Sequence, residues 1–168
     1  MSFDAKHLAV LRRRAERIAR RTSEDDGRVI SALVCSFRVG REVFAIDARA
    51  LREVLPAQPL THLPDLPPWI SGVIQLRSEI LSVIDLGVWL QVEGRDTPSH
   101  LVILEGSRGA LALAVEEVLG LRPLYEDELI DVAEAEAGGR PAVTRMSQDL
   151  VSILDPRILL KREDLVLE

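Results

Sequence analysis

A single cysteine, Cys35, stands in 168 residues, which excludes an internal disulfide and fits a reducing compartment. It lies in an apolar, strand-like run, so a buried and inert thiol is its expected role. Aromatic residues are also scarce, at 4%, so stacking on bases or sugars is not a theme of this chain. No apolar run approaches the roughly 20 residues that span a bilayer. The arginine-rich start lacks the apolar stretch of a secretory signal. A cytoplasmic protein without direct membrane insertion is therefore expected. The three histidines, His7, His62 and His100, are scattered, with no i,i+4 pair and no neighbouring cysteine, which argues against zinc. Gly-rich phosphate loops, nucleophile elbows and EF-hand patterns are missing too. Neither catalysis, nor a metal, nor a cofactor is expected.

The charge that is present is unevenly placed. Residues 1–22 carry seven Lys/Arg against two Asp/Glu, so the net −6 of the chain leaves −11 for the rest. An acidic body argues against nucleic acid, whose phosphates select basic surfaces. Over residues 5–21, Leu8, Leu11, Ala15 and Ile18 recur at spacings of three and four, which predicts a helix with one apolar stripe and arginines on its other faces. Such a helix either packs on the body with its arginines solvated or docks on a partner helix or an acidic surface. Residues 22–27 then read as a linker.

From Val29 the period changes to two. Leu33–Val39 and Glu42–Ile46 flank Gly40-Arg41 as a hairpin. Asp47 reads as the cap of a short helix, Ala48–Val54, and five prolines make residues 56–68 irregular. Val73–Arg77 and Ile80–Ile84 form a second hairpin, followed by a short helix at Leu86–Leu90. His100–Leu104, Leu111–Val115, Glu117–Pro123, Val143–Met146 and Leu150–Leu154 complete the strands, with an acidic loop at 126–139.

Several of these segments occur twice. Ile80–Leu90 (ILSVIDLGVWL) matches Leu150–Leu160 (LVSILDPRILL), pairing Ser82 with Ser152 and Asp85 with Asp155. The Leu33–Asp47 hairpin has a looser echo at Leu101–Glu116, with Phe44 set against Leu113. Asp85 and Asp155 each stand where a strand gives way to a helix, so capping explains them better than paired-carboxylate catalysis. Two similar β lobes, each a small closed barrel, follow from this pattern.

The segment Phe44–Leu86, FAIDARALREVLPAQPLTHLPDLPPWISGVIQLRSEILSVIDL, resembles the CheW-like chemotaxis coupling proteins. The features in register are Ala45-Ile46-Asp47, Glu53-Val54, Leu63-Pro64 with Pro67, Ile70 with Gly72-Val73, Leu76-Arg77 and Asp85-Leu86. The resemblance covers about 30–162 and leaves the N-terminal helix outside. It implies an all-β fold of two five-stranded SH3-like barrels side by side, with an N-terminal α-helix and short connecting and C-terminal helices. The domain plan is then 1–27 helix and linker, 28–162 the CheW-like domain (lobes at about 30–90 and 98–160), and 163–168 a tail.

The function implied is a non-catalytic adaptor that couples chemoreceptors to a CheA-type histidine kinase, at membrane-associated receptor arrays. One partner would be the kinase's related regulatory domain. The other would be a receptor helical hairpin lying in an apolar groove between lobes. The resemblance assigns protein-binding roles to Leu51, Glu53, Val54, Gly72, Arg77 and Ile80. Arg77, on a tight hairpin tip, is the leading candidate, because a rigidly held guanidinium makes directional contacts with a carboxylate. Ser78 stands where the family has a turn glycine, so a left-handed conformation there would cost about 1 kcal/mol. An adaptor of a non-flagellar pathway is the alternative within the same fold. A small-ligand-binding β-barrel is the alternative outside it.

Overall fold

The computed structural model describes residues 9, 10, 12, 13, 16 and 17 and the stretches 27–107, 109–132, 140 and 142–161. The six described residues before Gly27 are helical. The rest of the expected N-terminal helix, most of the acidic loop and the tail lie outside the described residues. Eleven strands follow: β1 (Ile30–Val39), β2 (Glu42–Asp47), β3 (Leu51–Pro56), β4 (Ile70–Leu76), β5 (Glu79–Asp85), β6 (His100–Gly106), β7 (Gly109–Val115), β8 (Glu117–Tyr125), β9 (Leu129–Asp131), β10 (Val143–Ser147) and β11 (Val151–Leu154). Two short helices, α1 (Leu86–Trp89) and α2 (Pro156–Leu160), follow β5 and β11.

The strands form two sheets, ordered β8-β1-β2-β11-β10-β9 and β3-β6-β7-β5-β4. Matching the repeats strand for strand (β1 with β6, β2 with β7, β3 with β8, β4 with β10, β5 with β11) makes the two orders the same, apart from the three-residue β9. The hairpins β1–β2 and β6–β7 have therefore changed places. Each sits in a sheet whose flanking strands come from the other half of the chain. A boundary near 90–98 consequently does not separate the two units, because neither half contains a complete sheet. The second match is parallel in both sheets: β5 runs parallel to β7 and β11 parallel to β2. The pairings Ile84 with Leu113 and Leu154 with Ile46 equate Ile46 with Leu113. The sequence echo is thus two residues out of step, a slip that leaves every side chain on its proper face.

Burial explains why Leu101–Leu104 and Leu111–Val115 of the second exchanged hairpin are continuous apolar runs. Phe37, Phe44 and Ile46 share one central cluster with Val102, Leu104, Leu111 and Leu113, closed by Leu86, Trp89 and Leu90 of the α1 region. The alternate residues of the same strands turn the other way. Leu101, Ile103, Ala112 and Ala114 pack on Ile74, Leu81 and Val83, while Val34 and Ala45 pack on Leu124, Val151 and Ile153. Both faces of each hairpin are covered, so the usual polar alternation disappears. Burial pushes the Cys35 thiol up to about 12, leaving about one thiol in ten thousand ionised at pH 8. Native protein should therefore resist maleimide at that pH and react only on unfolding; prompt labelling of folded protein would contradict this burial.

The expected helix at Ala48–Val54 is instead a turn leading into β3. A register shift between Leu51 and Glu53 marks a bulge that puts Glu53 and Val54 both inside. Buried positions at 51 and 54 then mimic a helical spacing. Where helices were expected after Asp85 and Asp155 they form, with each carboxylate accepting a backbone N–H, from Val88 at 2.9 Å and from Arg157 at 2.8 Å.

Candidate functional site

Arg77 and Ser78 link β4 to β5, with Leu76 facing Glu79. The left-handed residue of this turn is Arg77, at φ 57°, and not Ser78. The turn therefore takes its strain on the residue whose side chain it displays. The Arg77 side chain is 60% exposed, and it leans over Glu53, which is 3% exposed. Arg77 Nη2 lies 3.4 Å from both Glu53 carboxylate oxygens. From the other side, Arg52 Nε lies 3.7 Å from Glu53 Oε1, and Arg52 also pairs with Glu79, the first residue after the turn of the same hairpin. These pairs join β3 to the β4–β5 tip, from opposite edges of the five-stranded order. A buried carboxylate needs nearby positive charge, which Arg52 and Arg77 supply here, while Glu53 Oε1 itself accepts no hydrogen bond among the described residues.

The six residues implicated by sequence divide into three groups. Arg77 and Ile80 are exposed together on the tip, Ile80 by 59%. Glu53 is buried beneath them, against Arg77. Leu51 and Val54 belong to the central core, so packing accounts for them and neither offers a side chain to a partner. Gly72 is also structural. It adopts φ 146°, and a Cβ there would approach the Thr61 carbonyl oxygen to 2.5 Å, where the 56–68 segment pairs with β4 through Thr61 and Val73.

Between the two sheets lies a cavity of about 660 Å³, walled by the turn after β2, the end of β6, and β9, β10, β11 and α2. It is not the apolar groove that the resemblance implies. Asp47, Arg49, Arg145, Asp155 and Arg157 line it together with Val34, Leu124 and Leu160. Sequence reasoning missed the ion pairs in this lining, although Asp-x-Arg at 47–49 and again at 155–157 is a visible signal. It also missed Glu116, a buried carboxylate that accepts from Gly40 N, Asp96 N and Arg38 Nη1 at 2.8–2.9 Å. Among the described residues, no group of His, Cys, Asp or Glu is arranged to hold a metal, and no helix is long and apolar enough to cross a membrane.

A family model described as the CheW-like domain matches residues 33–164. The chain belongs to the CheW-like family. Probable chemotaxis protein CheW of Rhizobium etli is 34% identical over 89 residues, covering 50% of this chain and 57% of that protein. The chemotaxis protein CheW of Rhizobium meliloti is 32% identical over a stretch of the same length and the same coverage. The chain thus spans a little over half the length of these two CheW relatives. Against CheW of Klebsiella aerogenes the match is 26% over 141 residues, covering 78% of this chain and 82% of that one. The crystal structure of the scaffolding protein TtCheW from Thermoanaerobacter tengcongensis superposes with a TM-score of 0.68 at 22% identity, over 81% of this chain and 97% of that chain. The two-sheet architecture is therefore a CheW fold. Residues 1–32, with the arginine-rich segment, fall outside the CheW-like match.

Proposed function

We propose that this chain is a non-catalytic adaptor which couples chemoreceptor helical hairpins to the regulatory domain of a CheA-type histidine kinase, in the cytoplasm at receptor arrays. Each sheet is read as an SH3-like barrel, and the N-terminal helix as an addition to them. The observation that carries the reading is the tip of the β4–β5 hairpin. Arg77 is exposed, conformationally committed and seated over the buried Glu53, on a chain whose CheW-like match runs through both sheets. A guanidinium held in this way loses little freedom on binding and keeps donors for a partner carboxylate. The exposed Ile80 beside it supplies apolar contact.

Charge reversal is a poor test, because Arg77→Glu would set a second carboxylate against Glu53. Arg77→Gln removes the charge and leaves Arg52 to serve Glu53. It should weaken binding to the kinase regulatory domain about tenfold while the melting temperature falls by only a few degrees. Ile80→Asp should weaken binding comparably with no loss of stability. Calorimetric titration of both variants checks this; wild-type affinity in both would remove the tip from the interface. A non-flagellar pathway would use the same contacts, and the receptor and kinase genes beside this one distinguish the two.

A further inference from the structure

The N-terminal arm lies outside the CheW-like match, yet it is tied to the body at two places. Arg28 holds the near end. Its guanidinium sits 4.0 Å from the centre of the Tyr125 ring, and it donates to Asp127 at 2.9 and 3.0 Å and to Glu128 at 2.8 Å. A stacked, bidentate guanidinium of this kind fixes direction as well as position. Just before it, Gly27 is left-handed at φ 66°, with no atom within 4 Å of where a Cβ would stand. The chain turns there unobstructed.

Arg12 holds the far end. It is half-buried, and its Nη2 donates to the Leu51 carbonyl at 3.1 Å, where the β2–β3 turn enters β3. Arg12 and Glu16 are one helical turn apart, the spacing that sets two side chains on one face. Both line a cavity of about 420 Å³, against Asp47, Ala48 and Arg49 of that turn and the first residues of β1. The arm brings one charge of each sign, and the turn offers one of each in return. Burial pushes the Asp47 carboxyl up, but the bonds from Arg49 and, less strongly, the charge of Arg12 hold it below the usual carboxylate range. Val10, Arg13 and Arg17 are exposed. The arm is therefore seated by few contacts and is easily lifted.

Ala32, Asp47 and Arg49 line both this cavity and the 660 Å³ cavity between the sheets. The arm thus stands at one mouth of the larger cavity. We infer that the N-terminal arm is an intramolecular clasp: Arg12 seats it on the β2–β3 turn, it closes that end of the cavity, and a partner entering there must first lift it. A short tether such as the stretch from Arg28 back to Arg12 keeps the arm at an effective concentration on the order of millimolar. Few contacts then suffice to hold it down. The partner's apparent affinity is reduced by the fraction of molecules whose arm is lifted. The inference rests on the adaptor reading for the identity of that partner, a receptor hairpin; the clasp is this chain's own addition.

The test uses the full chain carrying Glu16→Cys and Arg49→Cys, joined by a short bismaleimide. Buried Cys35 stays out of the reaction. Efficient cross-linking within one molecule is expected; cross-linked dimers, or no cross-link, would overturn the clasp. The cross-linked protein should bind a cytoplasmic hairpin fragment of a chemoreceptor encoded in the same genome about tenfold more weakly than the same protein capped with N-ethylmaleimide. Kinase-domain binding through Arg77 should be equal in the two. With no cysteines added, Arg12→Gln should bind the hairpin about threefold more tightly than wild type, at a nearly unchanged melting temperature. Equal hairpin affinity of the cross-linked and capped proteins, or no gain for Arg12→Gln, overturns the clasp and leaves the adaptor reading standing. Failure of the wild-type chain to bind any such hairpin, with kinase binding intact, overturns the receptor half of the adaptor reading and the clasp with it.

Discussion

Glu116→Ala is expected to cost about 3 kcal/mol of folding stability. The side chain is 4% exposed and satisfies three donors from two segments: Gly40 N in the β1–β2 turn, Asp96 N in the loop before β6, and Arg38 on β1. Removing it leaves the buried Gly40 amide unpaired, at about 1–3 kcal/mol for such a group, and takes one partner from Arg38, which is 36% exposed and keeps water and Glu117, so that the lost ion pair adds little. The two segments are also packed tightly, because a Cβ at Gly40 would meet the Glu93 carbonyl oxygen at 2.6 Å. Among the described residues, no other acidic side chain accepts from those amides. Glu116→Gln keeps one acceptor oxygen but points an amide at another donor, so a loss of about half that size is expected. Urea unfolding of the three proteins, read for a change in midpoint at constant slope, checks this. A loss below 1 kcal/mol for Glu116→Ala would mean that water replaces the carboxylate and that the site is not a tether.

Gly72→Ala is expected to destabilise by about 3 kcal/mol, and to impair coupling only through that loss. At φ 146° an L-residue is strained by about 1–3 kcal/mol, and the added methyl would stand 2.5 Å from the Thr61 carbonyl oxygen, a backbone atom. The cross-strand pair between Thr61 and Val73 must open to admit it, with both of its 2.9 Å hydrogen bonds. For a chain of this length the melting temperature should fall by roughly 10 °C. The informative comparison is with Arg77→Gln at a temperature where Gly72→Ala is still folded. There Gly72→Ala should bind the kinase domain with near wild-type affinity while Arg77→Gln does not. Weak binding by well-folded Gly72→Ala would return Gly72 to the interface.

The residues that sequence reasoning placed well are those whose role depends on close neighbours in the chain. Asp85 and Asp155 cap the helices that follow them, and Gly40-Arg41 turns a two-residue hairpin; the second turn was placed to within one residue, since the strands expected at 73–77 and 80–84 end and begin one residue earlier. What it misplaced depends on distant partners. Leu51-Arg52-Glu53-Val54 looks helical because a bulge buries two consecutive residues, and the reason for the bulge lies in β6, about fifty residues on. Sequence repetition showed that two similar units exist, yet it carries no information on which hairpin enters which sheet. That choice is made by the central core, where Phe37 and Phe44 meet Leu104 and Leu111. The placement of Arg77 and Ile80 beside a tight, exposed turn was legible in the sequence; their part in binding is the proposal made above. The support of Arg77 by Glu53 was not legible, because the turn and β3 are far apart in sequence. The groove's ion pairs repeat a short motif, but only the parallel pairing of β2 with β11 sets them beside each other.

The exchange of hairpins between the sheets also bears on how the molecule is born. The six-stranded sheet takes its first two strands from the start of the domain and its remainder from β8 onward. On the ribosome, β1 and β2 therefore wait, with open edges, until the last strands emerge. Neither unit is an independent folding cassette. A nascent chain stalled after β5 would display unpaired strand edges, the kind of surface that chaperones cover and that neighbouring polysomes join by mistake.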